Sequence, residues 1–72
     1  MEKEEFEEEF KKQKSGGHVL IQYGGSTWFY ADKYVFEKKG YVKLYYNGEN
    51  MGTYSIKRMM ILKPFISRAR KK

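Results

Sequence analysis

Two kinds of hydrophobic pattern divide the chain at Gly16-Gly17. Before this pair, the sequence is rich in good helix formers, with Glu in the first turns and Lys in the last, as the helix dipole favours. Phe6 and Phe10 are spaced i, i+4 and share one face of such a helix. A helix of this length is marginal in water unless that face docks. We therefore predict an acidic N-terminal helix over residues 1–15.

After the glycines, β-branched and aromatic residues dominate, and turn residues interrupt them at short intervals, which is typical of strands. Short connections without a helical crossover favour antiparallel pairing of neighbouring strands. Within a β domain at residues 18–66, four strands are predicted at residues 18–23, 27–37, 41–46 and 52–62. The expected fold is mainly β (α+β): a small four-stranded antiparallel meander curling toward an SH3-like or other small barrel, preceded by the acidic helix.

The segment Lys38-Lys39-Gly40 fits a three-residue hairpin loop with glycine in the left-handed position. This loop sets a register in which Phe36 faces Val42. Because side chains alternate across a strand, the register divides the hairpin into a core side and an exposed side. The predicted core side holds Tyr34, Phe36, Val42 and Leu44. The predicted exposed side holds Lys33, Val35, Glu37, Tyr41, Lys43 and Tyr45.

Two irregularities are expected in the longer strands. Asn47-Gly48 predicts a type I′ hairpin turn, but a strict register from that turn would expose Ile56. We therefore expect a β-bulge near residues 50–52 that reverses the facing of the strand beyond it. Ala31-Asp32 is a candidate bend that would let one long strand serve two sides of a small barrel.

Charge is distributed unevenly along the chain. Its 72 residues carry a net charge of +6, which favours an anionic partner. Residues 1–9 hold six Glu and one Lys, whereas residues 57–72 hold seven Lys or Arg and no acid. We expect a basic C-terminal tail at residues 67–72. So short a chain buries little apolar surface, and a homodimer is an alternative to a monomer.

Composition also argues against several classes of function. The chain has no cysteine and a single histidine, His18, so a Cys-His nucleophile pair and a histidine-rich metal cluster are excluded. The Gly-Gly doublets lack the lysine and helix context of a phosphate-binding loop. We expect no enzymatic activity, no metal and no cofactor. No run is long enough to span a membrane and the acidic start is unlike a secretory signal, so a cytoplasmic (intracellular) protein without membrane contact is expected.

The alternation of rings and cations on the exposed side predicts nucleic-acid binding. Tyrosines can stack on bases while lysines neutralise phosphates, and the basic tail adds attraction that does not read sequence. The hypothesis is a small basic protein that binds single- or double-stranded DNA or RNA largely independently of sequence. The candidate binding residues are Lys33, Tyr41, Lys43, Tyr45, Lys57, Arg58, Arg68, Arg70, Lys71 and Lys72.

The same exposed residues also suit a protein partner. The face could bind a different protein or a second copy, as in a small inhibitor or assembly factor of viral or mobile-element origin. Tyrosine also fills exposed strands because of its β-propensity, and lysine keeps a sheet soluble. The acidic helix could pair with the basic tail. Trp28 is expected in the core, because it brings the largest apolar area. Adjacent Met59 and Met60 should point to opposite faces.

The order of hairpin, short strand, glycine turn and second hairpin over residues 19–61 is similar to that of the small basic SH3-like chromatin proteins of archaea. The resemblance is one of arrangement and carries no diagnostic motif. The sequence predicts no counterpart of their C-terminal helix. No binding residue is carried over from that family.

Overall fold

The computed structural model describes residues 1–64, so the predicted basic tail lies outside the described residues. These 64 residues are mostly β, with one α-helix and two small antiparallel sheets of three strands. The sheets have the strand orders β2-β1-β6 and β3-β4-β5. The elements are helix α1 (Lys3–Gln13), strands β1 (Val19–Tyr23), β2 (Thr27–Ala31), β3 (Lys33–Phe36), β4 (Tyr41–Tyr46) and β5 (Glu49–Ser55), a 3₁₀ helix (Ile56–Arg58) and strand β6 (Met59–Leu62).

Six strands form where four were predicted, because two of the predicted strands are interrupted. Asp32 separates β2 from β3, and the 3₁₀ helix separates β5 from β6. After the 3₁₀ helix, β6 returns to pair with β1 rather than continuing the β3-β4-β5 sheet. Within residues 1–64 the two sheets do not form a closed barrel, so neither the four-stranded meander nor the SH3-like barrel is confirmed.

The predicted bend at Ala31-Asp32 is confirmed, and Asp32 fastens it to the next hairpin. The Asp32 amide donates to the Tyr45 carbonyl at 2.8 Å, and its Oδ2 accepts a hydrogen bond from the Asn47 amide at 3.0 Å. Asn47 and Gly48 both have positive φ, as a type I′ turn requires. The Asp32 carboxylate therefore links the bend between β2 and β3 to the turn between β4 and β5.

The predicted register of the β3-β4 hairpin is confirmed. Phe36 pairs with Val42 and Tyr34 with Leu44, while the Tyr41 amide donates to the Lys38 carbonyl at 2.9 Å across the turn. Val42 and Leu44 are completely buried. The alternation of side chains along β4 therefore places Val42 and Leu44 in the core, as predicted.

The predicted bulge is also confirmed, and Met51 is the extra residue. Leu44 pairs with Gly52 whereas the next residue of β4, Tyr45, pairs with Asn50. The shift puts Tyr54 opposite Val42 on the core side. Ile56 is buried at the start of the 3₁₀ helix. A regular hairpin would have exposed Ile56, and the bulge reverses the facing of the strand beyond it.

Helix α1 docks on the β domain through its two phenylalanines. Phe6 is fully buried, with its ring centroid 5.1 Å from that of Tyr34 and 5.6 Å from that of Phe36. Phe10 packs edge-on against Tyr34 at 4.7 Å. Both sheets and the helix contribute to one core. Its buried members are Phe6, Phe10, Val19, Ile21, Ala31, Val42, Leu44, Ile56, Met59 and Ile61.

Trp28 does not lie in the core, and the prediction that it does was wrong. The hairpin between β1 and β2 pairs Tyr23 with Thr27, which places Trp28 opposite Gln22. Phe29, the next residue, takes the inward position and packs against the core, so Trp28 points outward and is 50% exposed. Of the adjacent methionines, Met59 is buried and Met60 is exposed, as predicted.

Candidate nucleic-acid interface

The outer side of the β3-β4-β5 sheet brings four of the predicted binding residues together. Lys33 pairs with Tyr45 and Val35 pairs with Lys43, while Tyr41 lies two residues before Lys43 on β4. Tyr41 and Tyr45 are thus four residues apart, about 13 Å along the strand. We call this surface the basic aromatic face. Its members are Lys33, Val35, Tyr41, Lys43 and Tyr45.

The two tyrosines differ in accessibility. Tyr41 is 44% exposed, and Val35, which pairs with Lys43, is 51% exposed. Tyr45 is half-buried and lies against the first of the two grooves described below. The ring of Tyr41 is therefore the more accessible one for a stacking partner, and Tyr45 borders the groove.

The central cation of this face is already paired. Lys43 Nζ lies 3.2 Å from Oε2 of Glu37, the only ion pair among residues 1–64. The hydrogen bond to Glu37 raises the pKa of Lys43 above its usual range, and the charges of Glu37 and Tyr45 act in the same direction. Lys43 is thus held in place and charged, and Glu37 neutralises part of its field.

A groove of about 600 Å³ flanks the face where α1 lies beside β3. Lys11 of the helix and Lys14 just after it line the groove together with Lys33 of the sheet, and Glu7 and Asp32 supply two carboxylates. Tyr45 and Val35 belong to both the groove and the basic aromatic face. Cations from the helix therefore extend the positive surface beyond the sheet.

A second groove of about 670 Å³ lies at the other end of the face, next to Tyr41. Lysines outnumber acids in its lining. The lysines are Lys3, Lys38, Lys39 and Lys57, and the acids are Glu2 and Glu37. Lys57, a predicted binding residue on the 3₁₀ helix, therefore borders the same groove as Tyr41.

The remaining predicted residues lie elsewhere. The Arg58 guanidinium sits over the ring of Tyr23, 5.8 Å from its centroid, and the Arg58 carbonyl accepts a hydrogen bond from Gly24. Both contacts tie Arg58 to β1 of the other sheet and its turn, and it does not line either groove. Arg68, Arg70, Lys71 and Lys72 lie outside the described residues.

The acidic helix uses its aromatic face to dock, as the contacts of Phe6 and Phe10 show. Burial raises the pKa of Tyr34 beneath it, and the nearby charge of Glu7 adds to that effect. In the part of the chain that is described, no helix glutamate pairs with a lysine of the sheet. The predicted pairing of the helix with the basic tail involves residues outside the description.

A second surface, on the other sheet, was not predicted from the sequence. The outer side of the β2-β1-β6 sheet carries six residues without a charge, of which Trp28 and Met60 are half-exposed and Leu20 is buried. We call it the uncharged face. Its members are Leu20, Gln22, Trp28, Tyr30, Met60 and Leu62. A register for the hairpin at residues 24–26, like the one derived for residues 38–40, would have revealed it.

An aromatic cluster stands at one end of the uncharged face. The His18 ring lies 4.8 Å from Tyr30 and 5.6 Å from Tyr46, and the two tyrosine rings are 5.7 Å apart. His18 also pairs with Ser15 through main-chain hydrogen bonds at the glycine turn. The cluster joins the start of β1 to β2 and to the end of β4.

Among residues 1–64, no group of three or more His, Cys, Asp or Glu side chains is arranged to hold a metal ion. The single helix of that region is too short and too polar to cross a membrane. No protein-family model matches the chain, and no curated protein or solved structure shows detectable similarity to it.

Proposed function

We propose that this protein binds nucleic acid, largely independently of sequence, through the basic aromatic face. The observation that carries the proposal is the placement of Tyr41 and Tyr45 on one outward sheet surface with Lys43 between them and Lys33 beside Tyr45. Rings and cations in alternation are what single-strand binding surfaces use, because stacking and charge attraction need no particular base.

Stacking supplies one part of the affinity. Base stacking on an aromatic side chain is worth about 1–3 kcal/mol in systems of this kind. The exposed ring of Tyr41 offers that contact, and the exposed Val35 adds apolar surface opposite Lys43. Bases inside a duplex are already stacked, so this contribution favours unpaired strands.

Phosphate attraction supplies the other part. Each groove brings further lysines to an end of the face: Lys11 of α1 and Lys14 just after it at one end, and Lys57 of the 3₁₀ helix at the other. A backbone that crosses β4 meets cations on both sides of the rings. The arginines and lysines of residues 67–72 add charge to the same protein. Binding of this type weakens steeply as salt is added.

We propose that the two sheets form a partly open SH3-like barrel. The ribbon from β2 to β3 continues through the Asp32 bend, and a short 3₁₀ helix precedes the return of β6 beside β1. A solution structure with both sheets around one core would support this assignment. Two sheets with separate cores would contradict it.

The test is a fluorescence-anisotropy titration of labelled single- and double-stranded oligonucleotides between about 50 and 200 mM salt. We expect tighter binding to single strands and a steep loss of affinity with salt. Replacing Tyr41 and Tyr45 together by alanine should weaken single-strand binding and leave the weaker duplex binding nearly unchanged. Absence of binding at low salt, or an affinity indifferent to salt, would contradict the proposal.

A tail variant separates the sheet from the C-terminal charges. Changing Arg68, Arg70, Lys71 and Lys72 to glutamine removes four cations and leaves the described domain intact. The account predicts lower affinity for both kinds of strand with the single-strand preference retained. If this variant binds no nucleic acid, the tail and not the sheet is the binding site.

A protein-interaction module is the second candidate function. The observation that favours it is the uncharged face, which exposes half of Trp28 and of Met60. This surface lies on the β2-β1-β6 sheet, not on the basic aromatic face that the sequence suggested for a protein partner. Copurification of a protein after nuclease treatment, lost when Trp28 is changed and kept when Tyr41 is changed, would support this candidate. Loss in neither variant would contradict it.

A further inference from the structure

The edges of the two sheets differ in how they are protected. Strands β2 and β6 lie at the edges of one sheet, and β3 and β5 at the edges of the other. Edge strands present unpaired backbone groups that can pair with another chain. Proteins usually block such pairing with charges, prolines, bulges, very short strands or a covering element.

Three of the four edges carry such protection. Strand β3 begins with Lys33 and is overlaid by the helix through Phe6. Strand β5 begins with Glu49 and contains the bulge at Met51. Strand β6 has only four residues, lies against α1 and is followed by Lys63 and Pro64. Each edge is therefore a poor template for a further strand.

Strand β2 has no charge, proline or bulge, although its C-terminal end lies next to β4 through the rings of Tyr30 and Tyr46. Its five residues, Thr-Trp-Phe-Tyr-Ala, include no charge and no proline, and its pairing with β1 is regular from Val19–Ala31 to Tyr23–Thr27. Among residues 1–64 no strand pairs with its other side. An uncharged, regular and strongly β-forming edge is the type of strand that recruits another strand.

The charge of the whole chain narrows the choice of partner. Two copies with a net charge of +6 each repel one another overall. None of the six residues of the uncharged face carries a charge, and β2 forms one border of that face. A like-charged copy can therefore approach along β2 at the least electrostatic cost. A small domain with a thin core also gains most from added packing.

We propose that β2 pairs antiparallel with β2 of a second copy about a two-fold axis. The pairing would join two three-stranded sheets into one of six strands, ordered β6-β1-β2-β2-β1-β6. An antiparallel pair of identical strands is self-complementary, as a two-fold interface requires. The exposed Trp28 would lie close to the axis, and the two uncharged faces would become one continuous surface.

The proposed β2–β2 contact is small, so the dimer should form only at high protein concentration. One five-residue edge buries on the order of 300 Å² per copy, against roughly 800 Å² per partner in a standard interface. We therefore expect a weak dimer with a dissociation constant on the order of 100 µM. The dimer would carry two basic aromatic faces, yet its formation does not depend on nucleic-acid binding.

Two variants with the same added charge distinguish the edge from the face. Thr27 lies on β2, but its side chain alternates to the opposite side from Trp28, so Thr27→Lys places a charge at the edge without touching the uncharged face. Met60→Lys places the same charge on the uncharged face, on the far strand β6. Both positions are exposed, so neither change removes core packing.

Sedimentation equilibrium from about 10 µM to about 1 mM, without nucleic acid, measures association in each variant. The emission of Trp28, the one tryptophan of the chain, provides a second readout that should shift to shorter wavelength as the wild type associates. Circular dichroism checks that each variant is folded. We expect Thr27→Lys to remain monomeric and Met60→Lys to associate like the wild type.

Any different result contradicts the proposal. A wild type that stays monomeric throughout the range has no β2 pairing. Loss of association in Met60→Lys, alone or together with Thr27→Lys, would mean that the copies meet through the uncharged face. Association that survives in both variants would place the contact on a different surface.

Discussion

Lys43 and Glu37 form an ion pair in the middle of the basic aromatic face, with Nζ 3.2 Å from Oε2. The register of the β3-β4 hairpin causes this contact, because Lys43 pairs with Val35 and Glu37 follows two residues later on the same side. Any phosphate that binds Lys43 must compete with this carboxylate. Glu37 is therefore expected to lower affinity for nucleic acid.

Replacing Glu37 by glutamine should increase the affinity for single strands by roughly twofold to fivefold. The freed Lys43 becomes available to a phosphate, so the slope of log affinity against log salt should steepen by about 0.7. Anisotropy titrations at several salt concentrations measure both quantities.

The matched control is Glu49→Gln, which removes the same charge from the start of β5, opposite Tyr46. It raises the net charge equally but frees no lysine, since Glu49 has no ion pair in the described region. We expect a smaller gain in affinity and little change in slope. Equal gains in both variants would show that only total charge matters.

Phe6→Ala should undock the helix and destabilise the whole domain. The side chain is fully buried against Phe10, Tyr34 and Phe36, and such truncations cost about 3–5 kcal/mol. The total stability of a chain of this length is roughly 4–11 kcal/mol, so the loss is a large fraction of it. Urea unfolding followed by circular dichroism measures the change.

The control for this prediction is Val35→Ala on the exposed side of β3, where the side chain is 51% exposed. Its cost should stay within about 0.5 kcal/mol. If Phe6→Ala unfolds at the same urea concentration as the wild type, the helix does not contribute to the core.

Gly52→Ala should destabilise the bulge more than a comparable change in an open turn. Gly52 has a φ of +111°, and an added Cβ would lie 2.9 Å from the Tyr54 hydroxyl, which donates a hydrogen bond to the Met51 carbonyl at 2.6 Å. Gly25 has a φ of +90° with open space around it. Both alanines incur backbone strain, and only the first also displaces a packed ring.

We expect Gly52→Ala to cost about 1–3 kcal/mol more than Gly25→Ala in the free energy of unfolding. Thermal and urea melts of the two variants give the comparison. Equal losses would mean that the Tyr54 ring moves aside without cost.

Tyr34 should make the domain sensitive to alkaline pH. Burial raises its pKa above the ordinary value of 10.0, with the charge of Glu7 as a second cause. The unfolded chain then loses the Tyr34 proton at a lower pH than the folded chain does. Folding stability should fall as pH rises above about 10, because the folded state holds more protons there.

Tyr34→Phe should flatten this part of the pH dependence, measured as urea midpoints at pH values on either side of the transition. Tyr41→Phe, on the exposed side of the same sheet, serves as the comparison. An unchanged alkaline loss in Tyr34→Phe would assign the effect to other groups.

Much of the β3-β4 hairpin was predictable because its turn is local. Gly40, with a φ of +81°, fixes the three-residue loop, and the loop fixes which side chains meet, so β4 has the predicted bounds and Lys33, Tyr41, Lys43 and Tyr45 share a face. The ion pair between Lys43 and Glu37 follows from the same register. Local chemistry was sufficient for these features.

Other features were predicted only in part. The bend at Asp32 was predicted, but its hydrogen bonds to Tyr45 and Asn47, which are remote in sequence, were not, so one long strand was expected where two form. Docking of α1 depends on Tyr34 and Phe36. Trp28 was assigned by size alone, whereas cross-strand register decides which of two adjacent rings points inward.

Nuclear magnetic resonance titration tests the central claim most directly. A short single-stranded oligonucleotide at low salt is added to the labelled wild-type protein, and amide shifts are followed residue by residue. The account predicts the largest changes at Lys33, Tyr41, Lys43 and Tyr45, with smaller changes along the two lysine-lined grooves. Changes confined to the β2-β1-β6 sheet, or to residues beyond 64, would contradict it.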